Sequence, residues 1–346
     1  MDKLTHEINS PQQLPVAGVK IDEEELWSRI QETLGPKLLE TEELLHDYTL
    51  SNVPIMQELL DHITGSRGKR LRPILLLLSA GFRPANDYLL IKAAAAVELI
   101  HTASLIHDDI IDESFERRGM ATLNAGWGNS PAVLAGDFLF ARAFELLALC
   151  GDFELNKLLT RAVGTMCEGE IEQRNCSYNF QLTEEQYLRN IYRKTAVLME
   201  ACCSSGARLS KLEDGARQQL EAYGRNLGYA FQIIDDVLDI TGDPSVTGKP
   251  VGNDLREGTV TLPVIYILQD SQWGPCLKEV ISAGDFSSES LDFLLQPSCI
   301  EGPVAKAVEK AASYARDARE CLRYFENNPS KTILEDLTGY VLQRKK

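Results

Sequence analysis

Apolar residues recur at steps of three and four along most of the chain, which is the spacing of one face of an α-helix. The pattern is clearest in six stretches, at residues 23–34, 55–64, 86–109, 131–149, 217–239 and 304–325. Strict alternation of apolar and polar residues, which would indicate strands, is nearly absent. The sequence therefore predicts an all-α fold in the form of a single large helical bundle.

The loops are marked by Gly, Pro and Asn and are predicted at residues 65–70, 117–130, 241–259 and 326–331. Residues 1–20 are polar and contain two prolines and a glycine, which is typical of a flexible N-terminal arm. No shift in composition marks a second domain after that arm. We therefore expect one all-α domain over residues 21–346.

Composition narrows the classes of function. The 346 residues carry a formal net charge of −16, which disfavours nucleic-acid binding, because phosphate backbones are bound by clustered Lys and Arg. The longest apolar run, near residues 73–82, is far shorter than the roughly 18 residues of a membrane span. No signal-peptide core is present near the N-terminus. We expect a cytoplasmic protein with no transmembrane segment.

The eight cysteines are scattered without a CxxC pair, and the only close pair is Cys202 with Cys203. Neither a zinc site nor a disulfide framework is indicated. Buried, reduced thiols are expected.

A first aspartate cluster, Asp108, Asp109 and Asp112, ends the apolar stretch LIHDDIID. Asp108 and Asp112 are four residues apart and therefore share a helical face, where like charges repel. Carboxylates kept together on an apolar helix indicate a cation, and oxygen ligands are those that Mg²⁺ prefers. The alternative for one such cluster alone is a solvated helix end.

A second aspartate cluster, Asp235, Asp236 and Asp239, repeats this spacing in FQIIDDVLD. The repetition disfavours the solvated-end alternative. Two facing carboxylate clusters would hold several Mg²⁺ ions, which could clamp a diphosphate leaving group. The GSRGKR loop does not form a P-loop, because Ile63 stands where the first glycine is required and Arg70 replaces the Ser or Thr.

Together, these motifs resemble those of the trans-isoprenyl diphosphate synthases. The likeness also includes GKRLRP at 68–73, ERRG at 116–119, GEIEQ at 169–173, RKTA at 193–196 and GKPVGNDL at 248–255, and it spans about residues 45–345. It is greatest to the catalytic component of long-chain, heptaprenyl-type synthases. The resemblance implies the isoprenoid-synthase bundle with a central active-site cavity, and it implies Mg²⁺ as cofactor.

The resemblance also assigns roles to single residues. Asp108 and Asp112 would bind the ions on the allylic diphosphate with support from Asp109, and Asp235, with Asp236 and Asp239, would hold a further ion. The allylic diphosphate itself would be contacted by Arg117, Lys194, Thr195, Gln232 and Lys249. Isopentenyl diphosphate would be bound by Lys69, Arg72, His101 and Arg118. For each basic residue the alternative is a solvated surface side chain, and for His101 it is a buried structural histidine.

The implied reaction is Mg²⁺-dependent condensation of isopentenyl diphosphate with an allylic diphosphate, yielding a long all-trans prenyl diphosphate for quinone side chains. The alternatives are a geranylgeranyl or farnesyl diphosphate synthase, a class I terpene cyclase, or a non-catalytic subunit of a heteromeric synthase. The family resemblance implies a homodimer, or a heteromer with a small partner subunit. Thr259 stands where many relatives carry a lysine, a departure shared with the heptaprenyl-type components.

Product length is addressed by the residues one turn before Asp108. Ala103 and Ser104 are too small to block a prenyl tail that grows along this helix. The cavity is therefore expected to continue toward Ile100 and Val97, and the product to exceed geranylgeranyl length. Alternatively, Phe138 or Phe140 closes the cavity from another helix.

Overall fold

The computed structural model of the chain describes residues 21–65, 68–117, 119–242, 251–284, 290 and 296–344. The predicted N-terminal arm lies outside these ranges. The helices are α1 (Glu23–Tyr48), α2 (Pro54–Thr64), α3 (Leu71–Ser79), α4 (Asp87–Ile111), α5 (Leu123–Trp127), α6 (Asn129–Leu149), α7 (Phe153–Asn175), α8 (Glu184–Ile191), α9 (Val197–Leu209), α10 (Asp214–Thr241), α11 (Asn253–Arg256), α12 (Leu262–Gln269), α13 (Gly274–Ala283), α14 (Pro297–Cys321) and α15 (Pro329–Gln343).

Two further helical segments have different backbone hydrogen bonding, a π-helical turn at Tyr192–Ala196 and a 3₁₀ turn at Leu322–Tyr324. The prediction of an all-α fold is confirmed. The loop predicted at 117–130 is partly wrong, because it contains α5 and the second strand of a hairpin, β1 (Glu116–Arg117) with β2 (Met120–Ala121). The Thr122 side chain caps α5 by accepting from the Ala125 N–H.

Helix starts follow local capping chemistry. The Asp22 carboxylate accepts from the N–H groups of Glu24 and Glu25 at the start of α1, and α8 opens with a capping box between Thr183 and Gln186. Such caps satisfy amide donors that the first helical turn cannot. The starts of α1 and α8 are therefore fixed by residues next to them in sequence.

The helices pack around two groups of buried apolar residues. The larger group joins α4 to α6 and α3 to α9, and the smaller group lies between the C-terminal half of α10 and helices α12 and α14. Tyr314 and Leu342 contact both groups. α10 packs against both α9 and α14. Its C-terminal half, which carries the second aspartate cluster, packs in the smaller group with α12 and α14.

α4 is also central to the bundle. Among the described helices it alone is long and apolar enough to cross a bilayer, but 72% of its most apolar window is buried inside the protein. Its apolar residues are accounted for by packing against α1, α3 and α6. The predicted cytoplasmic location stays a prediction.

The cysteine prediction is confirmed in part. None of the eight cysteines forms a disulfide, and four are buried, Cys150, Cys202, Cys203 and Cys299. Cys167 is exposed, so the expectation that all the thiols are buried is wrong.

Candidate active site

The first aspartate cluster lies where α4 ends. The helix stops at Ile111, Asp112 caps it, and Glu113 adopts a positive φ of 51° that turns the chain away. The β1–β2 hairpin then brings Arg117 back toward the helix, where its Nε donates to Oδ1 of Asp109 at 2.7 Å. Asp109 is buried and paired, which suits the supporting role predicted for it.

Asp108 and Asp112 have a different environment. Among the described residues, no basic side chain lies within 4 Å of either carboxylate. Burial, and to a smaller extent the like charges of Glu170 and Asp112, raise the pKa of Asp108 to about 7, while Lys194 and Arg117 oppose the shift. A divalent cation bound here would offset the like charges of Glu170 and Asp112.

The second aspartate cluster is already engaged by groups of the chain. Asp236 is 4% exposed, its Oδ2 accepts from the Tyr187 hydroxyl at 2.6 Å, and its Oδ1 accepts from Nε2 of Gln232 at 2.9 Å. Burial and the nearby Asp254 raise the pKa of Asp236 to about 7, although both hydrogen bonds lower it. Asp236 is therefore held in place by neutral donors.

The other two carboxylates of the second cluster have protein partners as well. Asp235 is paired with Arg344, whose guanidinium also lies over the Phe231 ring, 3.9 Å from its centroid. Arg344 is buried, and burial lowers its pKa to about 10. Oδ2 of Asp239 accepts from the backbone N–H of Asp254 at 3.2 Å.

The π-helical turn supplies the basic side chain between the two clusters. Lys194 lies 3.7 Å from Glu170 of α7, and its pKa is raised by Glu170, Asp108, Asp112 and Asp254 against the lowering effect of burial. The next residue, Thr195, donates its hydroxyl to Oε1 of Gln232 at 2.6 Å.

Two glycines let neighbouring helices approach this turn. A Cβ on Gly169 of α7 would come within 2.5 Å of the Arg193 side chain, and one on Gly228 of α10 within 2.5 Å of the Ala196 backbone. Since α7 and α10 pack directly on the turn, Lys194 is placed between the carboxylates that both helices carry.

A polar cavity of about 110 Å³ joins these groups. Asp112 of the first cluster and Asp236 of the second both line it, together with Lys194 and Gln232. Further lining residues include Gln173, Tyr187, Asn190, Asp254, Glu257 and Thr259. The structure therefore brings both predicted clusters to one site, with a cation and a neutral donor between them.

Comparison with known proteins agrees with this geometry. A family model described as "Polyprenyl synthetase" matches residues 53–296. This chain belongs to the polyprenyl synthetase family. It is 36% identical over 313 residues to heptaprenyl diphosphate synthase component 2 of Geobacillus stearothermophilus, covering 90% of this chain and 97% of that protein. It is 34% identical over 320 residues to octaprenyl diphosphate synthase of Haemophilus influenzae, covering 91% and 96%.

Solved structures agree on the fold. A polyprenyl synthase from Caulobacter crescentus CB15, complexed with calcium and isoprenyl diphosphate, matches with a TM-score of 0.86 at 34% identity, covering 92% of this chain and 98% of that one. The prediction of an isoprenoid-synthase bundle is therefore confirmed, and the chain is a prenyltransferase of the polyprenyl synthetase family.

The predicted isopentenyl diphosphate residues of this prenyltransferase lie on other elements. Nζ of Lys69 contacts Oε1 of Glu23 at 2.7 Å and the Tyr340 hydroxyl at 2.5 Å. Arg72 lies in the first turn of α3, which packs against α4, the helix that carries His101. Arg118 lies outside the described residues, as does Lys249, which was predicted to contact the allylic diphosphate.

Arg70 fixes the loop between Lys69 and Arg72. It adopts a positive φ of 53°, and its guanidinium bridges Glu42 of α1 and Glu98 of α4 at 2.5 and 2.8 Å. The loop is thus tied to two helices at a single residue.

The residues predicted to set product length lie deeper along α4. Ala103 is fully buried, and the half-buried Ser104 donates its hydroxyl to the His101 carbonyl at 2.8 Å. The alternative blockers, Phe138 and Phe140, are partly buried on α6 and pack against the same core. The expectation that the cavity continues past Ala103 and Ser104, which we call the open-floor interpretation, stays a prediction.

Sequence reasoning assigned no role to several residues of the site. Glu170 and Asp254 lie in the motifs GEIEQ and GNDL, so a signal was present for both. Tyr187, seven residues before Lys194, and Arg344, near the C-terminus, belong to no motif. Only the packing of α8 and of the chain's end against α10 brings them to the aspartates.

The donors of the site fit a hard divalent cation. In the part of the chain that the structure describes, no three His, Cys, Asp or Glu side chains already converge as a closed metal site. Two separated carboxylate clusters instead suit Mg²⁺, which is bound through one or two carboxylates and keeps positions for water and substrate phosphates. Glu170 and Asp112 add to the effect of burial in raising the pKa of Asp108, and such an ion would offset these like charges.

Proposed function

We propose that the chain is a Mg²⁺-dependent trans-polyprenyl diphosphate synthase that condenses isopentenyl diphosphate with an allylic diphosphate. One observation carries the proposal: Asp112 and Asp236, from the two aspartate clusters, line the same cavity as Lys194 and Gln232. When bound, Mg²⁺ would supply the positive charge that stabilises the departing diphosphate. Asp108 and Asp112 are the first candidates to hold it, with Asp235 and Asp239 opposite.

The chain's own residues orient the allylic diphosphate. Lys194 stays protonated, since its pKa is raised, and offers a fixed positive charge between the clusters. Gln232 offers an amide N–H whose direction is set by Thr195 and Asp236. Preorganised donors of this kind stabilise charge that develops on the leaving group.

The carbocation left by ionisation has to be kept from water until isopentenyl diphosphate attacks. Below the first cluster, α4 carries the small residues Ala103 and Ser104, and Ala103 and Ile106 are buried in the apolar core. The proton lost after attack is taken by the released diphosphate, as the family resemblance implies. No Ser, Cys or His nucleophile is needed.

We further propose that the product is a long-chain prenyl diphosphate used for quinone side chains. Support comes from the small residues Ala103 and Ser104 and from the heptaprenyl and octaprenyl synthases among the relatives. Farnesyl or geranylgeranyl synthesis would instead end at fifteen or twenty carbons. Thr259, which lines the cavity in place of the lysine of many relatives, supports the heptaprenyl-type subgroup.

One assay tests this function. The purified full chain is incubated with farnesyl diphosphate, isopentenyl diphosphate and Mg²⁺, and products are separated by chain length. We expect isopentenyl diphosphate to be consumed and products longer than twenty carbons to accumulate. Consumption of the allylic diphosphate alone would favour a terpene cyclase, and no turnover with any allylic primer would favour a non-catalytic subunit.

We propose that the chain works as a homodimer or with a small partner subunit. Exposed apolar residues support an interface: Val133 and Leu134 on α6 are 39% and 60% exposed, and Phe115 is 76% exposed. A relative's name, "component 2", also indicates a two-part enzyme for that protein. Sedimentation showing a fully active monomer at low concentration would contradict both forms, and activity that appears only with a second polypeptide would favour the heteromer.

A further inference from the structure

Tyr187 of α8 contacts the second aspartate cluster, although it belongs to none of the sequence motifs. The side chain is 3% exposed and lines the cavity, and its hydroxyl donates to Oδ2 of Asp236 at 2.6 Å. We propose that Tyr187 is a positioning residue for the allylic diphosphate, acting through Asp236 on the orientation of Gln232. The inference rests on the function proposed above.

A continuous series of hydrogen bonds carries this effect. Oδ1 of Asp236 accepts from Nε2 of Gln232 at 2.9 Å, and Oε1 of Gln232 accepts from the Thr195 hydroxyl at 2.6 Å. The Gln232 amide cannot flip without breaking both bonds, because its oxygen and its nitrogen have opposite roles. Asp236 therefore determines which way the amide faces.

The same bonds decide which neutral group is available to a diphosphate. A hydroxyl has one hydrogen, and that of Thr195 is used by Gln232. The Gln232 amide has a second N–H, and Gln232 is among the residues that line the cavity. Gln232 is therefore the neutral donor, and Thr195 serves to hold it.

Tyr187 is suited to hold Asp236 because of its burial and its place in the chain. A hydrogen bond from a neutral donor to a buried carboxylate is stronger than one in water. When it is lost, the carboxylate oxygen lacks a donor and the Asp236 side chain can change its orientation. α8 runs directly into the π-helical turn, so Tyr187, Lys194 and Thr195 belong to one continuous segment. A displacement of the Asp236 side chain would therefore affect groups on both sides of the diphosphate site.

The competing explanation is that Tyr187 only packs α8 against α10. Tyr266 of α12 offers a matched control for that explanation. It is 5% exposed, and its hydroxyl donates to Oε2 of Glu184, the first residue of α8, at 2.9 Å. Both tyrosines thus tie α8 to a neighbouring helix, but Tyr266 bonds a carboxylate outside the aspartate clusters.

The test compares Tyr187→Phe with Tyr266→Phe in the full-length enzyme at saturating Mg²⁺, varying each substrate in turn. For Tyr187→Phe we expect kcat to fall about tenfold and the KM for the allylic diphosphate to rise severalfold, since a hydrogen bond to a charged group is lost. Its KM for isopentenyl diphosphate should stay within about twofold. Tyr266→Phe, which also removes a hydrogen bond between α8 and a neighbouring helix, should leave all three constants within about twofold.

Equal kinetics in the two variants, or an equal rise of both KM values in Tyr187→Phe, would overturn the proposal. A double-mutant cycle with Thr195→Val adds a second measurement. If both residues act through Gln232, the fold loss of kcat/KM in the double variant is smaller than the product of the fold losses in the two single variants. Independent, multiplicative effects would also overturn it. If the parent consumes isopentenyl diphosphate and Tyr187→Phe has normal kinetics, this inference alone is refuted. If the parent is inactive both alone and with a partner polypeptide, the proposed function is refuted.

Discussion

The two aspartate clusters have the same spacing in sequence but different surroundings in the folded protein. In the first, Asp108 and Asp112 have no basic side chain within 4 Å among the described residues, and Asp109 is held by Arg117. In the second, Asp236 accepts hydrogen bonds from Tyr187 and Gln232, and Asp235 is covered by Arg344. Asp108 and Asp112 can therefore receive a cation without displacing a basic side chain, while Asp235 has to exchange Arg344 for one.

The largest effect is expected from deleting a carboxylate of either cluster. Asp108→Ala or Asp235→Ala should lower turnover by roughly 10²-fold or more, because each removes a proposed ligand of the ions on the leaving group. Asp108→Ala should keep its stability, since it removes one of several repelling carboxylates, whereas Asp235→Ala also takes the partner from the buried Arg344 and should melt at a lower temperature while remaining folded. Steady-state turnover and thermal melting measure both quantities.

The control for this deletion is Glu154→Ala, which removes one negative charge from an exposed position at the start of α7. It should be nearly as active as the parent. Near-normal turnover in Asp108→Ala or in Asp235→Ala would rule out the metal assignment for that cluster.

Product length should respond to changes beneath the first cluster. Ser104→Phe or Ala103→Phe should shorten the main product by one or more prenyl units and leave the first condensation intact, because the blockage lies below the reacting carbons. Ser104→Ala keeps a small side chain and should leave the product unchanged. The products are measured by mass spectrometry. The open-floor interpretation is wrong if the product of the parent enzyme stops at twenty carbons, or if both Phe variants make the same product as the parent.

A moderate effect is expected at Arg344. Its guanidinium has to leave Asp235 before a cation can bind there, so Arg344→Ala should lower the Mg²⁺ concentration for half-maximal activity by about two- to fivefold. Arg323→Ala removes a charge from an exposed ion pair with Glu320 and serves as the control. If both variants need the same Mg²⁺ concentration as the parent, the second cluster is as open as the first.

The smallest effect concerns stability without metal. The pKa of Asp108 is raised from its ordinary value of 3.8 to about 7, so the folded state binds the proton more tightly than the unfolded chain does. The stability that this proton contributes is fully present below about pH 4 and is lost as pH rises through about 7. Asp108→Asn lacks this dependence and should be more stable than the parent at pH 8, by on the order of 1 kcal/mol.

Urea unfolding with a chelator, at pH 5 and pH 8, measures this difference. A free energy of unfolding that changes equally with pH in Asp108→Asn and in the parent would mean that Asp108 titrates normally. In that case burial and the charges of Glu170 and Asp112 would not perturb Asp108 in the folded protein.

Much of the fold and part of the site followed from local pattern. The helices that carry both clusters were predicted because the spacing of apolar residues is a property of neighbouring positions. The four-residue separation of Asp108 from Asp112 likewise fixes a common helical face in any fold. The short hairpin at Glu116–Ala121 was missed, since two-residue strands leave no alternating pattern to detect.

The sequence by itself determined an all-α chain, two carboxylate clusters at helix ends, and the residue types that a divalent cation and a diphosphate require. The tertiary structure decided which partner each carboxylate has. Tyr187 is 49 residues from Asp236, and Arg344 is 109 residues from Asp235, so neither pairing has a local signal. Such contacts depend on how α8, α10 and the end of the chain pack, and packing is settled by burial over the whole core rather than by neighbouring residues.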